Sequence, residues 1–223
     1  MATPAETRAP LSRDRILDAA LRLADEGGIE SLSMRKLGQA LGVEAMSLYN
    51  HVANKDDVIT GIVDRVANEI EPPAPAGDWD AAIRQSAISA HDALRRHPWA
   101  CTLMMSPAHV VAERIRYMDS LLARLRAAGF SPEQTYHAYH VLDAHIFGFS
   151  LWQTGHSIGG VDPDALRDLA KQFMRQFPSE EYPHAGEHVE QHFSEGPHRN
   201  VSAFEFALDL ILDGLKRVRE AGR

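Results

Sequence analysis

The sequence contains a single cysteine, Cys101, in 223 residues. One thiol excludes an internal disulfide and a zinc site built from cysteines. No apolar run approaches the roughly 20 residues that span a membrane, and residues 1–10 form a polar, proline-flanked arm without the apolar core of a signal peptide. We therefore expect a soluble, cytoplasmic protein with no membrane partner.

Positive charge is also scarce, since the net charge is -8. Dividing the chain does not change the sign: residues 1–70 carry 8 Lys and Arg against 11 Asp and Glu, and residues 71–223 carry 15 against 20. Most nucleic-acid-binding proteins present a basic surface instead. Any DNA binding must depend on a few well-placed cations and on helix N-termini, whose N–H groups contact phosphates. The expected cations are Arg13, Arg35, Lys36 and Lys55.

The motifs that many enzymes need are missing as well. The sequence has no nucleophile elbow, no phosphate-binding loop and no paired-carboxylate arrangement. We therefore expect no enzyme activity and no catalytic residue.

Histidine, by contrast, is plentiful, with eleven of the 12 histidines between residues 91 and 198. His184, His188 and His192 have the spacing of one helical face, which zinc could use. However, proline and glycine are frequent around them and predict a loop over residues 178–199, and no glutamate follows the first histidine as zinc peptidases require. We expect no metal and no other cofactor. A metal-dependent enzyme that uses the histidine-rich half is the alternative.

Apolar residues recur at helical spacing along most of the chain, and no segment reads as a strand. The proline-rich segment 71–77 is the clearest boundary. The pattern predicts an all-α fold with two domains, residues 11–70 and residues 78–223, and an amphipathic helix over about residues 56–70.

Residues 33–55 predict two short helices around a tight turn. Leu37 and Leu41 repeat at helical spacing, and Gly42 is a typical left-handed residue after a helix. In a second helix over about residues 45–51, Leu48 would point to the core and small, polar and aromatic side chains would face outward. Such a face suits the DNA major groove. An ordinary helical hairpin in a core is the alternative.

Residues 11–70 resemble the DNA-binding domain of the TetR family of regulators, close to its tetracycline-repressor branch. The similarity is carried by Leu32-Ser33-Met34-Arg35-Lys36-Leu37, Leu41-Gly42-Val43, Leu48-Tyr49-Asn50-His51-Val52 and Asn54-Lys55. It implies a three-helix helix-turn-helix head that places its recognition helix in the major groove of double-stranded DNA. It also implies that the helix over about residues 56–70 is a linker helix that joins this head to the larger domain. We predict that the residues that contact DNA are Arg35, Ala45, Met46, Ser47, Tyr49, Asn50, His51 and Lys55.

Two predicted helices in the larger domain, about residues 132–156 and 200–221, are apolar on more than one face and must be covered nearly all round. In the family, the corresponding helices form a four-helix bundle across a two-fold axis, so the resemblance implies a homodimer. Such a dimer would read a pseudo-palindromic operator with half-sites about 34 Å apart. Burial within a monomer is the alternative. The expected interface residues are Leu142, Phe149, Trp152, Phe206 and Leu210.

The resemblance further implies a repressor that is released from DNA by a small, mostly apolar effector bound in the larger domain. The candidate lining residues are aromatic, apolar and histidine side chains: Leu94, Trp99, Leu103, Met104, His109, Met118, His140, His145, Phe149 and Trp152. Where tetracycline repressors use an Arg-Pro pair toward the magnesium-bound drug, residues 101–107 contain no arginine, which argues against that ligand. If these residues are plain core, the alternative is a DNA-binding regulator without ligand control.

Overall fold

The computed structural model describes residues 10–155, 168, 171–172, 174–177, 180–193 and 202–221. All regular structure in these ranges is helical, which confirms the predicted all-α fold. The helices are α1 (Arg13–Gly27), α2 (Met34–Leu41), α3 (Ala45–Leu48), α4 (Lys55–Asn68), α5 (Trp79–Arg96), α6 (Ala100–Met105), α7 (Ala112–Ala127), α8 (Pro132–Gly155), α9 (Pro183–Phe193) and α10 (Ala203–Ala221). None of these helices is both long and apolar enough to cross a membrane.

The first three helices form a small head around buried Ile16, Leu37 and Leu48. Side-chain caps fix where two of them begin, since the Ser12 hydroxyl accepts from Arg15 N and the Ser33 hydroxyl accepts from Lys36 N. Each hydroxyl group accepts a hydrogen bond from a backbone N–H group that has no partner within the first turn of the helix.

Helix α3 is shorter than the predicted 45–51. Beyond Leu48 the chain continues as a tighter turn, in which Tyr49 N donates to Met46 O and His51 N donates to Leu48 O. Bonds to the third preceding residue tighten the last turn of a helix. The side chains of residues 49–51 therefore extend the recognition element without belonging to an α-helix.

Helix α4 is held against α1 by ion pairs. Arg13 donates to both carboxylate oxygens of Asp57, at 2.9 and 2.8 Å. Farther along, Arg65 reaches Asp14 at 3.0 Å and also pairs with Asp18. Hydrogen bonding to Arg13 and to Ala53 N keeps the pKa of Asp57 below its usual range. Ion pairs to two positions of α4 therefore connect it to the first half of α1.

In the larger domain, α8 is the central helix and packs against α5, α7 and α10. It begins with a capping box, since Gln134 N donates to the Ser131 hydroxyl at 3.1 Å and Ser131 N donates to Gln134 Oε1 at 2.9 Å. Its inner side chains Leu142 and Ile146 are buried together with Phe204 of α10. One apolar core thus joins the first and last parts of the domain.

The predicted loop over residues 178–199 is wrong at its centre, where α9 runs from Pro183 to Phe193. Proline is well tolerated in the first turn of a helix, where its missing N–H has no partner to lose. Gly186 lies inside α9, and its N–H donates to Tyr182 O at 3.0 Å. Residues 178–179 and 194–199 of that prediction lie outside the described residues.

Candidate functional site

The turn between α2 and α3 is built by a close approach of two backbone segments. Gly42 adopts a left-handed conformation with φ of 67°, and Val43 N donates to Gly38 O at 2.9 Å. A Cβ at Gly38 would lie 2.9 Å from Val43 O and 3.2 Å from Ala45 N, so only glycine fits there. This crossing fixes the direction of α3 relative to α2, and sequence patterning did not single out Gly38.

The structure leaves every predicted DNA-contacting residue at least partly accessible. Met46 is 75% exposed and Tyr49 45% exposed. Arg35, Asn50 and His51 are exposed too, whereas the partly exposed members of the set are Ala45, Ser47 and Lys55. Leu48, by contrast, is fully buried behind them. The α3 segment therefore has one face in the core and one face free for a partner.

Three basic side chains near this face form no ion pair with a carboxylate among the described residues. Arg35, Lys36 and Lys55 make no ion pair with any residue that the structure describes, whereas Arg13 and Arg65 in the same head are paired with acids. In an acidic chain, unpaired cations are the ones whose charge remains available to phosphate groups.

Two contacts connect α4 to the larger domain near α7. The Thr60 hydroxyl lies 3.1 Å from His109 Nδ1, and Glu113 N donates to Asp64 Oδ1 at 3.5 Å. His109, a predicted effector-lining residue, therefore lies at the junction between the head and the larger domain. A movement of the 3₁₀ turn Pro107–His109 would displace the contact between His109 and Thr60 of α4.

A second junction is centred on the buried His97, which follows α5. Its Nδ1 lies 2.7 Å from Asp25 Oδ1 of α1, and its Nε2 lies 3.2 Å from Glu69 Oε1 at the end of α4. The Trp99 indole N–H also donates to Asp25, at 2.8 Å. His97 thus lies between an acid of α1 and an acid at the end of α4. Trp99, predicted to line the effector pocket, thus serves the contact with the head.

An aromatic cluster lies between α5, α8 and α10. The His91 and His145 rings stack on Phe204, with centroid distances of 4.0 and 4.6 Å, and Phe149 meets Phe204 edge-on at 5.5 Å. His145 Nε2 donates to Phe204 O at 3.0 Å, and His91 Nδ1 lies 3.3 Å from the Ser150 hydroxyl. Burial lowers the pKa of both His91 and His145, so both rings are neutral near pH 7.

A cleft of about 240 Å³ opens beside this cluster, between the C-terminal parts of α5 and α8. It is lined by Leu94, Arg95, Pro98, Ser150, Gln153 and Thr154. Leu94 is the one predicted effector-lining residue among them. The others were missed because polar residues near helix ends carry no sequence signal that separates a cleft from an ordinary surface.

Other predicted lining residues are dispersed. Leu103 and Met118 are partly buried and Met104 is buried, and none of the three lines this cleft. His140 is also a predicted lining residue. It is exposed on α8, where its Nδ1 donates to Tyr136 O of the preceding turn at 2.8 Å.

The predicted dimer residues separate into two groups. Phe206 and Leu210 of α10 and Trp152 of α8 are 59%, 58% and 49% exposed, and Phe149 is partly buried. Leu142 is 0% exposed, so its assignment to an exposed interface is wrong. It points into the chain's own core because α8 is apolar on several faces, and spacing alone did not show which face is inward.

No group of three or more histidine, cysteine or acidic side chains is positioned to hold a metal ion within the part of the chain that the structure describes. His184 and His188 are exposed on α9, and the side chain of His192 lies outside the described residues.

The helix-turn-helix head, the exposed α3 face and the larger helical domain define a DNA-binding transcriptional regulator. Residues 16–62 match the family described as bacterial regulatory proteins, tetR family. Residues 71–219 match the domain described as tetracyclin repressor-like, C-terminal. The chain therefore belongs to the TetR family.

Several members of this family are similar over nearly the whole chain. The HTH-type transcriptional repressor DrrR1 of Streptomyces coeruleorubidus is 31% identical over 92% of this chain and 77% of its own length. The class D tetracycline repressor of Escherichia coli is 26% identical over 92% of this chain and 94% of its own.

Among solved structures, apo ActR from Streptomyces coelicolor superimposes with a TM-score of 0.73 at 26% identity, covering 96% of this chain and 99% of ActR. ActR in complex with actinorhodin gives a TM-score of 0.71 at 26% identity, covering 95% of this chain and 99% of that one. The similarity includes both the head and the larger domain.

Proposed function

We propose that this TetR-family regulator is a repressor that binds a pseudo-palindromic operator as a homodimer and is released by a small, mostly apolar effector. The observation that carries the proposal is that the α3 segment has an exposed face near three basic residues without ion pairs, in a chain that is acidic as a whole. These residues are Arg35, Lys36 and Lys55. Relatives named as repressors and an ActR structure with a bound small molecule support repression and ligand control.

In this proposal α3 lies in the major groove. Ser47, Asn50 and His51 offer hydrogen bonds to base edges or phosphates, and Met46 offers an apolar contact to a thymine methyl group. Arg35 and Lys55 neutralise phosphates on either side of the groove. With so few cations, non-specific affinity for DNA should be weak and specificity should depend on the fit of α3.

The proposed dimer is formed by α8 and α10. Phe206 and Leu210 point away from the chain's own core, and exposed apolar side chains on one face favour burial against a second copy. Two copies related by a two-fold axis would present two α3 segments to successive turns of the same face of DNA.

Ligand control follows from linkage. An effector that binds the larger domain more tightly in a conformation with wrongly spaced heads must weaken DNA binding, typically by about 1–3 kcal/mol. The contacts Thr60–His109 and His97–Glu69 connect that domain to α4 and are the proposed route. A regulator without ligand control remains the second candidate, favoured if no small molecule changes operator affinity.

The experiment compares Tyr49→Ala with Tyr182→Ala in titrations of a fluorescent operator duplex. The two tyrosines are equally accessible, at 45% and 47%, but Tyr182 precedes α9 in the larger domain. We expect Tyr49→Ala to abolish measurable operator binding and Tyr182→Ala to bind like wild type, both with unchanged helicity. Unchanged affinity in Tyr49→Ala would contradict the proposed DNA surface.

A further inference from the structure

A buried guanidinium lies between α7 and α8. The Arg114 side chain is 14% exposed, and its Nη2 pairs with Asp143 and donates to the Tyr139 hydroxyl at 3.2 Å. The Phe147 ring lies 4.9 Å from Cζ. Burial lowers the pKa of Arg114, but Asp143 and Tyr139 together outweigh it and the net pKa is raised. Arg114 therefore keeps its positive charge, opposite the Asp143 carboxyl group.

Two hydrogen-bond donors remain unused beside this pair. Arg114 Nη1 and the Tyr117 hydroxyl are both buried and have no hydrogen-bond partner of normal geometry among the described residues. Burial raises the pKa of Tyr117 to about 12, against a smaller lowering effect of the Ser86 hydroxyl. Tyr117 therefore keeps its proton at neutral pH. Folded proteins rarely leave buried donors without an acceptor.

A group that pairs with both donors should be a hydrogen-bond acceptor without hydrogens of its own. A water molecule would supply lone pairs but also two more donors, in a place that already has a surplus. A carbonyl or ether oxygen supplies only lone pairs. Because Asp143 already balances the guanidinium, a negatively charged group would meet a nearby carboxylate, whereas a neutral oxygen would not.

The geometry points to a polar anchor for the effector: we infer that Arg114 Nη1 and the Tyr117 hydroxyl hold a neutral carbonyl or ether oxygen of an otherwise apolar molecule. This inference rests on the proposed effector site in the larger domain and names the chemical class of its ligand. Sequence analysis missed both residues, since an arginine on an amphipathic helix reads as a solvated surface residue.

The anchor and the cleft lie along one side of α8. Asp143 and Phe147 at the anchor are followed by Ser150 and Thr154 at the cleft, at intervals of three or four residues, which repeat on one helical face. Seven residues of helix separate Asp143 from Ser150, about 10 Å. A molecule of two or three fused rings has the length to extend from the cleft to Arg114.

The test uses two neutral fluorescent probes and the full-length chain. Prodan is a naphthalene that carries a ketone, and phenylnaphthylamine has a naphthalene body without a carbonyl. Wild-type protein should bind Prodan more tightly. Tyr117→Phe, which removes one donor, and Arg114→Lys, which keeps the charge opposite Asp143 but loses Nη1, should each weaken Prodan binding about tenfold and leave phenylnaphthylamine binding unchanged.

Thermal unfolding without probe separates this role from a structural one. If the Tyr117 hydroxyl lacks a partner in the free protein, Tyr117→Phe should unfold at the same temperature as wild type or higher. The inference is overturned by a lowered unfolding temperature, by unchanged Prodan affinity in both variants, by equal loss of both probes, or by a wild-type protein that binds neither.

Operator titrations distinguish this inference from the proposed function. Both variants should bind the operator duplex like wild type when no probe is present. A protein that prefers Prodan but recognises no operator would contradict the proposed function and leave the anchor intact. One that binds its operator but shows no preference for Prodan would contradict the anchor alone.

Discussion

Asn50 and Asn54 lie four residues apart, and the structure gives them different roles. Asn54 Oδ1 accepts from Asp57 N at 2.8 Å and caps α4, whereas Asn50 is exposed on the proposed DNA face. We predict that Asn54→Ala lowers the free energy of unfolding by about 1 kcal/mol because a helix cap is lost. Urea denaturation measures this change.

Asn50→Ala is the matched control and should show the reverse pattern. Its unfolding free energy should stay within about 0.5 kcal/mol of wild type, while operator affinity falls. A stability loss in Asn50→Ala, with full affinity for DNA, would contradict this assignment of the two side chains.

The buried His91 predicts a pH dependence. Burial lowers its pKa in the folded state, so below about pH 6.5 the unfolded chain binds more protons than the folded one. Stability should therefore be full at neutral pH and fall as the pH drops through that value, with His145 acting in the same direction.

Thermal unfolding between pH 7.5 and 5.5 tests this effect. His91→Gln should show a shallower decline with acid than wild type, and His184→Gln, which replaces an exposed imidazole of α9, should decline like wild type. Equal slopes in all three proteins would mean that His91 does not contribute.

At the scale of elements, His97 connects the head and α4 to the rest of the chain. His97 bridges α1 and α4 by contacting Asp25 and Glu69. We predict that His97→Phe, which keeps an aromatic ring but removes both ring nitrogens and with them the hydrogen bond to Asp25, costs about 1–2 kcal/mol of unfolding free energy.

The control is Arg96→Met, which removes the exposed ion pair between Arg96 and Glu69 and should cost less than about 1 kcal/mol. Urea denaturation of both variants gives the comparison. If Arg96→Met costs as much as His97→Phe, the junction depends on the surface ion pair and not on the buried imidazole.

Element boundaries were predictable where a cap or a special backbone conformation marks them. Ser33, Gly42 and Ser131 are at the expected positions because these residues satisfy helix ends in ways that few others do. Helix α9 was missed because proline and glycine count as helix breakers by composition, although a first-turn proline is compatible with a helix.

At the scale of the whole molecule, the exposed face of α10 predicts the oligomeric state. Leu210 is 58% exposed, and an arginine there would place charge in an apolar interface. We predict that Leu210→Arg is monomeric in sedimentation velocity, whereas Val110→Arg, which changes a valine that is 63% exposed near the junction with α4, assembles like wild type. A Leu210→Arg dimer would place the interface elsewhere.

The proposed effector site was the least predictable feature. Its residues come from α5, α7 and α8, and whether an apolar side chain lines a cavity or fills a core depends on packing that spacing does not encode. Leu142 and His140 show the problem in opposite directions: one is buried in the chain's own core and the other faces outward. Arg114 became a candidate only from the structure, because the sequence does not show that its Nη1 is buried without a hydrogen-bond partner.

The most direct measurement of the central claim is selection from a random duplex pool by the purified full-length chain at physiological salt, with Tyr49→Ala selected in parallel. The account predicts that wild type enriches one two-fold symmetric sequence, with half-sites about one helical turn apart, and that Tyr49→Ala enriches nothing. An asymmetric site, or the same site enriched by Tyr49→Ala, would contradict recognition by a dimer through α3.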